Sequence, residues 1–270
     1  MGSGRTKALR LAQEVLDSLD SVTLCVPFYR NSSMLRRQIE EWNKYHGGLR
    51  IILWDDCSPE PALPIVKELA SAATLDVLEV YRTDIDVKWA REFARNAMSK
   101  VASTRYLLHV DIDHVLPAES LRLLRGTPIS SKRWYRFRRM RVGKADETRK
   151  KDFKNAGLPD DAEFGEVAPH VDSYLCQTKH FWRAGAYNEA FLGMLGGGNE
   201  FLRRFEALHP VEVFPGNVFL HVYTRHVIDD ASDLHCSRDT KPGKDLWRQI
   251  QRAGWKPPDK WLTLPWSRVL

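Results

Sequence analysis

The chain is 270 residues long, 43% hydrophobic and 28% charged. That composition excludes general disorder and fits one large domain, or a domain with an appended piece, on the usual scale of ~100–200 residues. No apolar run approaches the ~20 residues of a membrane-spanning helix, and no charged-then-apolar leader opens the chain, so the expectation is a cytoplasmic protein without a membrane span. The net charge of +6 is uneven: residues 132–154 hold eleven basic and three acidic side chains, a local +8 that leaves the remainder near −2 (6 less 8). One tract therefore carries the whole positive bias, which points to an anionic partner.

In chain order, leucines and alanines at helical spacing predict a helix over 5–20. Val22-Thr23-Leu24-Cys25-Val26-Pro27-Phe28 is an almost wholly apolar run of the kind a parallel strand buried on both faces shows. Asn31-Ser32-Ser33 offers a helix cap before an amphipathic stretch from Met34 to Tyr45, and Gly47-Gly48 stops it. A second strand is expected over Leu49–Trp54, a helix over Ile65–Ala73, a third strand over Leu75–Tyr81, a helix over Val87–Val101 and a fourth strand over Tyr106–Val110. Four alternations of strand and helix with short connections predict a parallel sheet covered on both faces. Ligands of such sheets bind at the carboxyl ends of the strands. Pro27, Asp55-Asp56 and Asp111-Ile112-Asp113 all fall there, so they are expected to converge.

Beyond residue 113 the pattern changes. A short helix is expected over Pro117–Leu124, a strand with one charged face over Arg133–Val142, a polar loop over 143–166 and a strand over His170–Gln177. Gly193–Gly198 is glycine-rich and precedes a helix over Asn199–Leu208. Short strands follow at Val211–Phe214 and Val218–Val222, then an irregular stretch over 225–245 and a last helix over Asp245–Ala253. The organisation expected is one domain: an alternating strand–helix half over 20–125, a mixed half over 126–240 carrying the basic insert at 132–154, and a C-terminal helix and tail over 241–270. Cys25, Cys57, Cys176 and Cys236 are scattered, form no CxxC pair, and read as thiols of a reducing compartment.

Three groups carry chemistry. Asp111 and Asp113 lie two apart at a buried strand's end, where an extended backbone would turn both toward one ligand. Two close carboxylates repel unless a cation sits between them, and oxygen ligands suit Mg²⁺ or Mn²⁺. A carboxylate of Asp55-Asp56 is placed to accept hydrogen bonds from a nucleobase or ribose, although the same residues make good turns. Arg91 and Arg95, one helical turn apart, suit a diphosphate or a salt-bridged surface.

These pieces resemble the family-2-like glycosyltransferases of the GT-A fold. The resemblance is carried by Val22–Tyr29, Trp54-Asp55-Asp56-Cys57-Ser58, Ala94-Arg95-Asn96-Ala97 and Tyr106–Asp113, in that order, covering roughly residues 20–120. Gly185-Ala186-Tyr187-Asn188-Glu189-Ala190-Phe191, with Gly193 and Gly196-Gly197-Gly198-Asn199-Glu200-Phe201, is similar to the acceptor segment of the galactosyltransferase-type branch. The resemblance implies an α/β, Rossmann-like fold with a mostly parallel central sheet and a mixed C-terminal half. It implies metal-dependent transfer of a sugar from a nucleoside-diphosphate donor, a UDP-sugar first, to an acceptor hydroxyl with inversion. Pro27, Tyr29, Asp55 or Asp56, Arg91, Arg95, Asp111 and Ile112 would line the nucleotide site. Asp111 and Asp113 would hold Mn²⁺ or Mg²⁺, with a late histidine completing the set: His221 first, His226 and His235 as alternatives. The family carries adjacent acids after its glycines, one of them the catalytic base. Here Gly198-Asn199 stands in that place, which leaves Glu200, beside Asn199, as the expected base.

Arginine alternates with aromatics in Lys132-Arg133-Trp134-Tyr135-Arg136-Phe137-Arg138-Arg139-Met140-Arg141. Arginines neutralise phosphates and rings stack on unpaired bases, so an acceptor such as a hydroxymethylated base in DNA is one expectation. A saccharide or protein acceptor is the other, with the aromatics in the core. A non-catalytic nucleic-acid-binding module would explain the basic tract but not carboxylates at separate strand ends. A nucleotidyltransferase would be expected to show a glycine-rich loop after the first strand, and Pro27–Asn31 contains no glycine.

Overall fold

A computed structural model describes residues 13–15, 21–46, 49–87, 90–142, 165–223, 241–259 and 261–270. The strands of the first half are β1 (Gln13–Val15), β2 (Val22–Phe28), β3 (Arg50–Asp55), β4 (Leu78–Thr83), β5 (Tyr106–His109), β6 (His114–Val115) and β7 (Pro128–Ser130). Its helices are α1 (Ser32–Trp42), α2 (Ala62–Leu69), α3 (Ala72–Leu75), α4 (Arg91–Val101) and α5 (Ala118–Leu124). The second half adds β8 (Trp134–Arg136), β9 (Arg138–Val142), β10 (Glu166–Val167), β11 (Tyr174–Gln177), α6 (Thr178–Arg183), α7 (Gly197–Glu206), β12 (Val211–Val213), β13 (Phe219–Tyr223), α8 (Lys241–Arg252) and β14 (Trp266–Arg268).

Eight strands form the main sheet in the order β12-β8-β11-β5-β2-β3-β4-β14. Its centre, β5-β2-β3-β4, is parallel, and β11 and β8 continue it antiparallel on one side. On the other edge β14 lies antiparallel along β4. The parallel strands are apolar on both faces because helices cover both. Leu24, Val26, Ile51 and Leu53 pack with Leu35, Ile39 and Trp42 of α1 and Ile65 and Val66 of α2. The alternate positions Cys25, Ile52 and Trp54 pack with Phe93, Ala94, Ala97 and Met98 of α4. This period-two division is what sends β2 and β3 to the centre. Among the described residues no helix is long and apolar enough to cross a membrane.

Several expected elements differ. Residues 13–15, expected in a helix, form a strand paired with β7, so tertiary pairing overrides the local periodicity; the remainder of 5–20 lies outside the described residues. The helix expected over 65–73 divides because Ala70 and Ser71 both take extended backbone (ψ 133° and 160°). The single strand expected over 133–142 breaks at Phe137: β8 joins the main sheet, while β9 enters a second sheet of order β10-β9-β13-β6. One fully buried aromatic between two arginine-bearing strands thus feeds two sheets. Helix α6 and strand β14 were not expected at all. Gly47-Gly48, Cys236, His226, His235 and residues 143–164 lie outside the described residues.

Candidate active site and metal centre

The carboxyl ends of β2, β3 and β5 are tied together by the backbone. Asp56 N–H donates to the carbonyl of Phe28 at 2.9 Å, and Val110 N–H to that of Cys25 at 3.1 Å. Arg30 and Cys57, at this rim, hold left-handed backbone (φ 51° and 56°), and Arg30 N–H donates to Ser58 Oγ at 2.8 Å. Such conformations cost ~1–2 kcal/mol for residues with a side chain. Pro27 and Tyr29 are half-buried beside them, with the Arg30 guanidinium 5.2 Å from the Tyr29 ring centroid.

The two neighbouring aspartates divide their work. Asp55 is a scaffold residue: it accepts from Ser58 N–H at 2.7 Å and Ala62 N–H at 2.9 Å, and is paired with Arg82. Asp56 is less committed, taking Thr83 Oγ1 at 3.4 Å and Ala90 N–H at 3.2 Å. Burial, opposed by those hydrogen bonds, pushes the Asp56 carboxyl up to about 7. The pH consequence has a definite sign. The folded value exceeds the unfolded one, ~3.9, so the native state binds the proton more tightly and stability falls as pH rises from about 4 to about 7. Asp56→Asn, a mimic of the protonated acid, is expected to match the parent near pH 4 and to melt higher than it at pH 8. Thermal unfolding of both proteins at the two pH values checks this, and equal melting at pH 8 refutes it.

Helix α4 links this rim to the next loop. Ala90, at its start, meets Asp56, and Arg95, five residues on, meets Asp111, a span of ~7.5 Å along a helix. Arg95 is fully buried. Its Nη1 donates to the carbonyl of Asp172 at 2.8 Å and its Nη2 to Asp111 Oδ1. Arg95, with no exposed surface and both terminal nitrogens turned to Asp172 and Asp111, therefore acts through Asp111 rather than lining the nucleotide site as expected. Arg91, 17% exposed, is held between Asp172 (2.9 Å) and Glu92 (2.8 Å).

The Asp111-Ile112-Asp113 segment is not extended. His114 N–H donates to the Asp111 carbonyl at 2.9 Å, closing a tight turn, and Gln38 Nε2 donates to the Ile112 carbonyl at 3.0 Å. The turn brings His114 back beside Asp111, while Asp113 stays near enough to feel the charges of Asp111, His170 and Arg139. Asp111 Oδ2 lies 3.9 Å from His114 Nδ1 and 3.1 Å from His170 Nδ1. His170 precedes β11 and is 36% exposed. These three residues form a metal-competent group whose ligand atoms all lie within 4.8 Å of one another. Burial alone would raise the Asp111 carboxyl, but Arg95, then His170 and His114, outweigh it and hold the group well below the usual carboxylate range. Burial, then the charge of Asp111, pushes Asp113 up to about 6. Burial drives His114 down to about 3, so its ring is neutral.

The remaining expected ligand sits elsewhere. His221 pairs with Val115 while His114 pairs with Val222, so alternation puts the two imidazoles on opposite faces of the second sheet. His221 is therefore not in the group at Asp111, and His170 takes the place expected for it. A signal for His170 was present in His170-Val171-Asp172, a second spaced pair of ligand-type residues just before a strand.

Glu200 is also corrected. It is fully buried on α7, and both its oxygens meet Arg204, at 2.6 and 2.7 Å. Arg204 also donates to the carbonyls of Ala184 and Ala186. That is a structural ion pair facing the core, with no oxygen offered to an acceptor. Asn199 is exposed on the same turn. The neighbouring glycines are there for close approach: a Cβ on Gly198 would lie 2.2 Å from Asp172 Oδ1, and one on Gly197 2.3 Å from Glu92 Oε1. Asp172 thus fills the space that a side chain at 198 would take. Asn96 joins the halves of the molecule, bonding Tyr187 N–H and carbonyl at 2.9 Å each and Glu189 at 2.8 Å.

In the basic tract, Trp134, Tyr135 and Phe137 are core residues, at most 4% exposed. Arg138 pairs with buried Glu166, and Arg133 with Glu212. Arg139 donates to the Ala168 carbonyl at 2.6 Å and lies 3.1 Å from His114 Nε2. The described part of the tract therefore presents no aromatic ladder for bases. Its arginines largely serve the fold.

Comparison with known proteins agrees with the geometry. The sequence profile of the family described as glycosyl transferase family 2 matches residues 23–126. A search of curated protein sequences gave no significant match. The fold is that of the GT-A glycosyltransferases. S. aureus TarS residues 1–349 superpose with a TM-score of 0.53 at 13% identity, over 77% of this chain and 61% of that one. The same protein in complex with UDP-GlcNAc gives 0.55 at 14%, over 76% and 59%. The mannosyltransferase PcManGT from Pyrobaculum calidifontis, in complex with GDP-Man and Mn²⁺, gives 0.56 at 13%, over 93% and 70%. The chain spans about three-fifths of the length of the TarS fragment.

Proposed function

We propose that this protein is a glycosyltransferase that moves a sugar from a nucleoside-diphosphate donor to an acceptor hydroxyl, with inversion. The observation that supports it best is the placement of Asp56 and the Asp111–His114–His170 group along one helix, at the carboxyl ends of parallel strands in a GT-A sheet. The match of the family profile to this stretch, and the UDP-GlcNAc and GDP-Man complexes of similar folds, support the donor class.

In this reading Asp56, with Pro27 and Tyr29 beside it, takes the base or ribose, and Asp55 keeps that loop in shape. The donor set of Asp111, His114 and His170 fits a divalent cation. When bound, the cation neutralises charge growing on the departing diphosphate. Arg95 keeps Asp111 ionised and aimed; Asn96 fixes the acceptor segment at Tyr187–Glu189. On the acceptor side Asp172 is buried at the place where Gly198 leaves room, with Oδ2 paired to Arg91 and Oδ1 taking the Tyr187 hydroxyl, so it positions this segment rather than taking a proton.

Thermal shift and donor hydrolysis test the reading together. UDP or GDP with Mn²⁺ is expected to raise the melting temperature, and one nucleotide-sugar to be consumed. Stabilisation by nucleoside triphosphates but not diphosphates would favour a nucleotidyltransferase and overturn it. The acceptor screen covers oligosaccharide, protein and duplex DNA with hydroxymethylated bases. DNA is favoured if labelled duplex shifts in a salt-dependent way, and set aside if nothing binds at ~50 mM salt.

A further inference from the structure

We infer that Trp182 and Trp261, with Lys179 and Arg183 beside them, form a subsite on the acceptor segment that seats an anionic saccharide, holding a part of the acceptor other than the reacting hydroxyl. The inference rests on the glycosyl-transfer reading above and deepens it by naming the class of acceptor.

Trp182 and Trp261 are 37% and 44% exposed, although tryptophan is on average a well-buried side chain. They come from distant stretches, helix α6 and the C-terminal tail, and meet with ring centroids 6.3 Å apart and planes at 71°. Neither belongs to either core. The corner they make is built on fixed parts. Fully buried Phe181 anchors α6, and His180 Nδ1 lies 2.8 Å from Nε2 of His209, just beyond α7. On the tail side, a Cβ on Gly185 would lie 2.5 Å from Pro257 Cβ. Leu262 N–H, next to Trp261, donates to Glu189 Oε2, while Glu189 Oε1 accepts from Asn96 of α4 at 2.8 Å. Both rings are thereby tied to the acceptor segment without using any donor-site residue.

Ring geometry and charge decide the occupant. Perpendicular rings make a corner, not a ladder. Successive unpaired bases stack on parallel faces, whereas a puckered saccharide ring can lay its C–H bonds on the electron-rich face of one tryptophan and set its edge against the other. Lys179 and Arg183 are exposed one turn apart on α6, a like-charge spacing that is unfavourable until an anion answers it. Neither has an ion-pair partner among the described residues. Lys132, before β8, adds positive charge on the His180 side, and Lys256 is exposed in the tail against one exposed acid there, Asp259. A carboxylate, sulfate or phosphate carried by the sugar meets the Arg183 fork while the ring lies in the aromatic corner.

The test is calorimetric titration of the full chain with hexagalacturonate and a heparin hexasaccharide, against neutral cellohexaose, oligoglutamate and oligo(dT). At least one of the two anionic saccharides is expected to bind ~10-fold or more tighter than cellohexaose and to weaken as salt rises. Trp182→Ala and Trp261→Ala are each expected to weaken it about 10-fold. Lys179→Gln with Arg183→Gln is expected to remove most of the salt dependence, and Leu123→Ala, at an exposed apolar residue of α5, to change nothing. Both tryptophans are exposed and outside the cores, so their variants are expected to melt with the parent. Failure of both anionic saccharides to bind, full binding by either tryptophan variant, or tighter binding of oligoglutamate or oligo(dT) overturns the inference, the last two in favour of an acidic peptide or a nucleic acid. Stabilisation by UDP or GDP with Mn²⁺ is read on the same samples. Where it persists and no saccharide binds, this inference falls and the donor-site reading stands. Where a saccharide binds through the tryptophans and no nucleoside diphosphate stabilises the protein, the subsite stands and the donor-site reading falls.

Discussion

Asp111→Asn is expected to lower kcat/KM for transfer about 10²–10³-fold while leaving the protein folded. Asparagine keeps an oxygen for the Arg95 guanidinium, which is wholly buried and would cost ~3–5 kcal/mol if left without a partner. What it removes is the negative charge facing His114 and His170. A cation held there would stabilise several kcal/mol of developing charge, at 1.36 kcal/mol for each tenfold in rate. Steady-state kinetics beside a melting curve separates the two contributions. Full activity with an unchanged melting curve would remove Asp111 from the chemistry; collapse of the fold would show that the Arg95 pair dominates.

The largest stability effect is expected on helix α7. Arg204→Ala strands the buried carboxylate of Glu200 and leaves the Ala184 and Ala186 carbonyls without their donor. Breaking a buried pair from one side costs ~3–5 kcal/mol, readable as a shift in a urea unfolding curve. Glu200→Gln keeps an acceptor for the guanidinium, so it is expected to cost less and to leave turnover per folded molecule unchanged. A Glu200→Gln protein that is stable but inactive would return Glu200 to the role of base.

The nucleotide-side half was legible because its constraints are local. Val22–Phe28 and Ile51–Trp54 are apolar and packed on both faces, so apolarity alone marks them as central strands, and the aspartates that end the second mark the rim. The acceptor-side half was less legible because its decisive facts are contacts between distant stretches. Whether Arg95 faces solvent or core, whether Glu200 meets an acceptor or Arg204, and whether His170 or His221 reaches Asp111 all depend on packing that spacing does not encode. The Asp111 turn shows the difference most plainly. An extended strand end makes Asp113 the natural companion of Asp111, but one hydrogen bond from His114 N–H to the Asp111 carbonyl brings an imidazole beside it as well.

Helix α4 touches three loops that belong to different parts of the proposed reaction: Asp56 through Ala90, Asp111 through Arg95, and Tyr187–Glu189 through Asn96. A rigid rod with three such attachments transmits a displacement at one of them to the other two. Substrates seated at opposite ends of this cleft would then sense one another's arrival without meeting, and lesions along the inner side of this rod would show mutual dependence rather than simple summation.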